Sequence, residues 1–140
     1  MNINLRKVEK LVKKSSVSFI SSVDEKGFPN TKAMLPPRII DGLKTFYFST
    51  NTSSARVQQY RQNPKACIYF YQKSLFLYWG VMLKGSMQVL EDEAIKQVLW
   101  KPGDKMYYPQ GVTDPDYCVL KFTANEGRYY YNLETGSFTV

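Results

Sequence analysis

The stretch Ser49-Thr50-Asn51-Thr52-Ser53-Ser54-Ala55-Arg56 places hydroxyl and amide side chains beside one arginine, a set suited to a phosphate dianion. A guanidinium supplies charge-assisted, bidentate donors, and hydroxyls supply the remaining hydrogen bonds. The flanking residues say where such a site would sit. Leu43–Phe48 is apolar and aromatic, is bounded by Asp41-Gly42, and reads as a strand. Ala55–Gln62 has a helical pattern that stops at Asn63-Pro64, because a residue before proline avoids the α region. The hydroxyl-rich join therefore leads into a helix start, where backbone N–H groups lack partners and the macrodipole is positive. Phosphates bind at such starts. Serine and threonine are also ordinary helix caps, and these residues alone leave both roles open.

Composition narrows the chemistry. The chain has no histidine, which removes Ser-His and Cys-His nucleophile pairs, His-ligated haem and most zinc sites. Cys67 and Cys118 lie in apolar runs and read as reduced core thiols, so no metal site is expected. A net charge of +7 favours an anionic partner: a nucleic acid, a phosphorylated cofactor or an acidic metabolite. At 140 residues the chain suits a single domain with a real core. No apolar signal segment or membrane-length run is visible, so the expected compartment is the cytoplasm.

The elements that must position the hydroxyl-rich stretch follow from periodicity. Asn4–Lys14 reads as an amphipathic helix with Leu5, Val8, Leu11 and Val12 on one stripe. Val17–Val23 alternates as a strand, turns through Asp24-Glu25-Lys26-Gly27, and returns as Asn30–Leu35. A loop runs from Pro36-Pro37 to Gly42. After the helix come two β-former runs, Lys65–Gln72 and Leu75–Lys84, the second interrupted by Gly80, where a bulge or a close approach is expected. Met87–Leu90 follows Gly85. Asp92 caps a short helix, Glu93–Trp100, with Ile95, Val98 and Leu99 inward. Lys101–Asp116 reads as an ordered loop, and Tyr117–Thr123 with Arg128–Asn132 as a closing hairpin across Ala124–Gly127. Six to seven mostly hairpin-connected strands and three short helices predict a small antiparallel barrel or sandwich.

In this order the motifs resemble the pyridoxamine 5'-phosphate oxidase-like family of flavin mononucleotide (FMN)-binding split barrels, and within it the general stress protein group. The likeness rests on Phe19-Ile20-Ser21-Ser22-Val23 through Gly27-Phe28-Pro29, Thr31-Lys32-Ala33-Met34, Phe46-Tyr47-Phe48-Ser49-Thr50, Ser54-Ala55-Arg56 to Asn63-Pro64, Leu83-Lys84-Gly85 before Glu91-Asp92, and Tyr107-Tyr108-Pro109-Gln110-Gly111 with Asp114-Pro115-Asp116-Tyr117. The resemblance implies a mainly β, antiparallel Greek-key split barrel of about six strands with short flanking helices. It also implies a homodimer with FMN at the interface. Lys32, Thr50, Ser54 and Arg56 would hold the FMN phosphate at the helix start beginning with Ala55, and the backbone around Ala33, Met34 and Ser49 would lie along the isoalloxazine ring.

Two departures qualify what the resemblance implies. Family members that oxidise vitamin B6 phosphates hold substrate with arginine and histidine near the C-terminus, where this chain offers only Arg128. Lys32 stands where many members carry arginine, which turns a bidentate clamp into a point charge. No side chain stands out as a catalytic acid or base. Tyr69, Tyr71, Tyr78, Trp79, Tyr107 and Tyr108 either line the ring pocket or fill the core. The first reading is therefore an FMN flavoprotein, an oxidoreductase of unknown substrate that does not oxidise pyridoxamine phosphate. The alternative is a non-catalytic flavin-binding module or a small barrel that binds nucleic acid through aromatics and basic residues.

Overall fold

The computed structural model describes residues 4–140. Three α-helices, α1 (Leu5–Lys14), α2 (Ala55–Gln62) and α3 (Glu93–Leu99), flank eight strands. The strands are β1 (Ser18–Val23), β2 (Pro29–Met34), β3 (Ile39–Asp41), β4 (Thr45–Asn51), β5 (Lys65–Lys73), β6 (Tyr78–Leu90), β7 (Tyr117–Tyr131) and β8 (Glu134–Thr139). All pair antiparallel, in the order β2-β1-β5-β6-β7-β4-β3, with β8 added to β7.

The opening hairpin forms as its residues dictate. The Gly27 N–H donates to Asp24 O at 2.9 Å, and Gly27 takes φ +83° without a Cβ to object. β1 buries Ser18, Ile20 and Ser22 and turns Phe19, Ser21 and Val23 outward. In β4 the alternation buries Phe46, Phe48 and Thr50. Phe46 meets Phe70 of β5 at 5.6 Å between ring centroids, although β4 and β5 are not neighbours in the sheet. The sheet has therefore curled until opposite strands touch across its interior. Val8 and Val12 of α1 and Val57 and Tyr60 of α2 seal that core. A second cluster, Leu99, Tyr108, Tyr117 and Val119, packs α3 and the following turns onto β7.

Several expectations are corrected. The closing hairpin across Ala124–Gly127 does not exist: β7 runs unbroken for 15 residues. Lys84 pairs with Glu126 but Gly85 with Ala124, so Asn125 is an extra residue, a bulge. Its first half pairs with β4 and its second half with β8, a strand absent from the sequence-based count. The true turn is Asn132-Leu133, with φ +47° and +71°. β6 is likewise one strand, not two. The loop before Gly42 contains β3, and Ser49, Thr50 and Asn51 complete β4 rather than opening a loop. In α3, Val98 is exposed and Lys96 is buried, its Nζ donating to Asp114 O at 3.2 Å. Leu5 also leaves the apolar stripe of α1 for solvent. Gly80 marks a close approach: the Tyr69 ring lies where its Cβ would be.

Two stability effects follow. A Cβ at Gly85 would lie 1.9 Å from Thr123 O, so Gly85→Ala should cost about 2–3 kcal/mol in urea unfolding. Leu133 holds a left-handed backbone that suits glycine, so Leu133→Gly should stabilise the chain by about 1 kcal/mol. A lower urea midpoint for Leu133→Gly would show that the exposed leucine is needed where it stands.

Candidate functional site

A cleft of about 330 Å³ opens between β2, β4, the start of α2 and the 3₁₀ turn Pro102–Met106. Of the sequence-predicted residues, Lys32, Ala33 and Met34 of β2, Ser49 and Thr50 of β4, and Arg56 of α2 line it. Ala55 lines an adjoining recess, shared with Lys32 and Arg56. Ser54 lines neither. Tyr107 and Tyr108 form part of the cleft wall. The other aromatics do not: Trp79 is in the core, and Tyr71 packs edge-on to Tyr78 at 5.4 Å.

The hydroxyl-rich stretch divides into two roles. Thr52 and Ser53 tie the chain to the segment before β7: the Thr52 N–H donates to Asp116 O (2.7 Å), the Thr52 hydroxyl to Pro115 O (3.1 Å), and the Ser53 N–H to Asp116 Oδ1 (2.8 Å). The Asn51 amide donates to Ser53 Oγ at 3.1 Å. Ser54 has the backbone of a helix cap, yet its hydroxyl makes no capping bond. It is buried without a partner, as is Arg56 Nε. Ser49 Oγ lies beside the Tyr117 phenol but outside hydrogen-bonding geometry.

Arg56 is the electrostatic centre of the cleft. Its Nη2 donates to Thr50 Oγ1 at 2.6 Å, and no carboxylate pairs with it among the described residues. Burial therefore pulls its guanidinium below the usual pKa, since desolvation of an uncompensated cation disfavours the charged form. Leaving a buried charge without a counterion is costly unless an anion arrives to answer it.

Sequence reasoning missed two residues of the opposite wall. Arg38 and Asp104 form a bidentate pair, with Nη2 donating to Oδ1 at 2.6 Å and Nη1 donating both to Oδ2 and to Leu99 O (2.9 Å). Asp104 Oδ2 also accepts the Lys101 N–H at 2.9 Å, and Asp104 O accepts the N–H groups of Tyr107 and Tyr108. The pair thus fastens the tyrosine wall to the segment before β3. The Arg38 hydrogen bond holds the Asp104 carboxyl below the usual carboxylate range, and burial pushes the Tyr108 phenol up to about 12.

The sequence pattern of the pyridoxamine 5'-phosphate oxidase family matches residues 5–131. The chain belongs to this family. A curated relative, the pyridoxine/pyridoxamine 5'-phosphate oxidase of Legionella pneumophila, is 40% identical over 52 residues, which are 37% of this chain and 23% of the relative. The chain is also similar to a Clostridium acetobutylicum protein related to general stress protein 26 of B. subtilis. Identity is 40%, the match covers 97% of this chain and 94% of that one, and the TM-score is 0.84. A heme binding protein from Mycobacterium smegmatis shares the fold at 13% identity and TM-score 0.78, covering 99% of this chain and 59% of that protein. The family's split barrel is the architecture described above, with eight strands in place of the expected six among the described residues.

The Arg38–Asp104 pair sets a pH dependence. Asp104 has a folded-state pKa below its unfolded value, so its contribution is present above about pH 4 and lost as pH falls through the depressed value. Asp104→Asn should be less stable than wild type by about 2 kcal/mol at pH 7. Thermal melts should show that gap steady above about pH 5 and closing below about pH 4. A gap unchanged at acid pH would mean that the carboxylate charge is not what stabilises the turn.

Proposed function

We propose that the chain is an FMN-binding flavoprotein, an oxidoreductase whose substrate is not pyridoxamine phosphate. The observation that carries this is the half-buried Arg56 guanidinium, with no carboxylate partner among the described residues and with Nε unpartnered, together with the unpartnered hydroxyl of Ser54 two residues before it. The unsatisfied donors await an acceptor with several oxygens and negative charge, and a phosphate monoester is one. Arg56 and Lys32 would supply the charge, and Thr50 and Ser54 the hydroxyls. Ala55 and Arg56 add first-turn N–H groups that have no intrahelical acceptor. The backbone of Ala33, Met34 and Ser49 would run along the ring system, with Tyr107 and Tyr108 opposite. Bound FMN supplies the redox chemistry, and these residues bind and orient it.

The family resemblance supports this choice of cofactor. A haem reading lacks the histidine that most commonly ligates the iron. Vitamin B6 phosphate oxidation lacks the histidine expected near the C-terminus. Leu35 and Tyr107 of the cleft lining and Met106, next to Tyr107 in the chain, are exposed by 77%, 73% and 84%. A second copy covering them would remove a cluster of apolar surface from water, and we propose a homodimer with the cofactor at its interface. Sedimentation equilibrium should give twice the 16.2 kDa chain mass, and a monomer at micromolar concentration would refute the dimer.

Flavin fluorescence titration tests the site. Arg56→Ala removes a charge-assisted bond of roughly 1.5–3 kcal/mol and should weaken FMN about 10- to 150-fold. Arg56→Lys should recover only part of the loss, because the planar fork is gone while the charge stays. The flavin-free forms should melt within about 1 kcal/mol of one another, since the isolated cation contributes little to folding. Equal FMN affinity in all three proteins would sink the phosphate role, and a large loss of flavin-free stability in Arg56→Ala would make the arginine structural.

A further inference from the structure

Three cationic side chains line the cleft, Lys32, Arg38 and Arg56, and they are not equivalent. Lys32 and Arg56 pair with no carboxylate among the described residues. Arg38 spends its charge on Asp104, which is buried at 5% exposure, and one of its N–H groups on Leu99 O. The Arg38 backbone N–H bonds Tyr47 O at 2.8 Å. Tyr47 lies three residues before Thr50 on β4, about 10 Å of strand away from the Arg56 end. The neighbouring side chains, Pro36, Tyr107 and Tyr108, carry no formal charge, and Lys101 and Lys105 of the turn do not line the cleft.

The cleft therefore has one end with unanswered positive charge and one end whose charge is cancelled internally. An anion brought to the second end would give up its water and meet no free cation in return. We propose that Asp104 determines specificity: by cancelling Arg38 it reserves this end for an uncharged reaction partner and turns away phosphate esters. This rests on the FMN reading, because Lys32 and Arg56 must be occupied for the contrast to appear.

The test uses the FMN-loaded protein titrated with 1-naphthol and with 1-naphthyl phosphate, followed by quenching of flavin fluorescence. Wild type should bind naphthol at least about tenfold more tightly than the ester, and the ester's weak affinity should not respond to salt. Asp104→Asn keeps an acceptor for the Lys101 N–H while freeing the Arg38 charge. It should bind the ester about tenfold more tightly than wild type does, with naphthol unchanged. Adding Arg38→Gln to Asp104→Asn should erase the gain. Equal affinity for both probes in wild type, or an unaltered preference in Asp104→Asn, overturns the proposal. Should Asp104→Asn fail to fold, wild type decides alone: ester binding as tight as naphthol's and weakened by salt would show that Arg38 acts as a free cation. A protein that takes up no FMN in the preceding titration defeats the cofactor reading, and the proposal with it. One that takes up FMN but does not discriminate defeats only the proposal.

Discussion

The hydrogen-bond ladder between β6 and β7 is the constraint on which the remaining geometry rests. β7 keeps β6 along one edge for nearly its whole length, while its other edge passes from β4 to β8. The handover coincides with the Asn125 bulge, and Gly85 permits it by leaving Thr123 O the space that a side chain would take. A bulge bends its strand and deepens the twist. That bend lets β4 swing back over β5, as the Phe46–Phe70 contact records, and it carries Ser49 and Thr50 toward the residues of β2. The two sides of the cleft come from strands far apart in the sheet order, and nothing local to either would bring them together.

Within that frame the chain treats its two cleft arginines in opposite ways. Arg38 is spent on architecture, its carboxylate partner and the Leu99 carbonyl leaving its charge answered. Arg56 is held half-buried with one hydroxyl acceptor and no carboxylate paired to it among the described residues. An arrangement that folding alone would not favour is the usual mark of a functional site, where local stability is given up for readiness. The unused Ser54 hydroxyl makes the same point, since it stands at the cap of α2 without making the bond that serines ordinarily make there.

Much of this was legible in the sequence, for identifiable reasons. α2 is bounded by Ser54 before it and by Asn63-Pro64 after it, and the hairpin at Gly27 carries its turn residues openly. The phosphate-binding reading needed the family resemblance as well, because serine and threonine beside a helix start suit a cap equally well. What failed were the strand breaks placed at Gly85 and Gly127. Ala124–Gly127 looks like a turn, but Gly127 is there because Phe138 and Leu83 crowd its Cβ position. The actual turn has leucine where glycine is expected, and so gave no signal. β8, Glu134–Thr139, lacks the alternating apolar pattern because it is an exposed strand with little to bury. Arg38 and Asp104 were unreadable for another reason: they lie 66 positions apart, and their segments, rich in proline or glycine, look like loops. Lys96 replaced Val98 on the inner face because a long side chain can reach the Asp114 carbonyl while its stem stays apolar.

The exposed character of β2 has a consequence beyond ligand binding. From Pro29 to Ala33 the strand is open to solvent, and among the described residues only β1 pairs with it. Its other edge presents free N–H and C=O groups, a template on which another chain can grow a sheet. Proline at the strand's beginning and a lysine in its middle are the devices that discourage such growth. Lys32 thus guards against self-association at the position from which it faces the cleft. Solubility and occupancy of the cleft are tied to the same ammonium group, so the colloidal behaviour of the empty chain depends on the strand that would line its ligand.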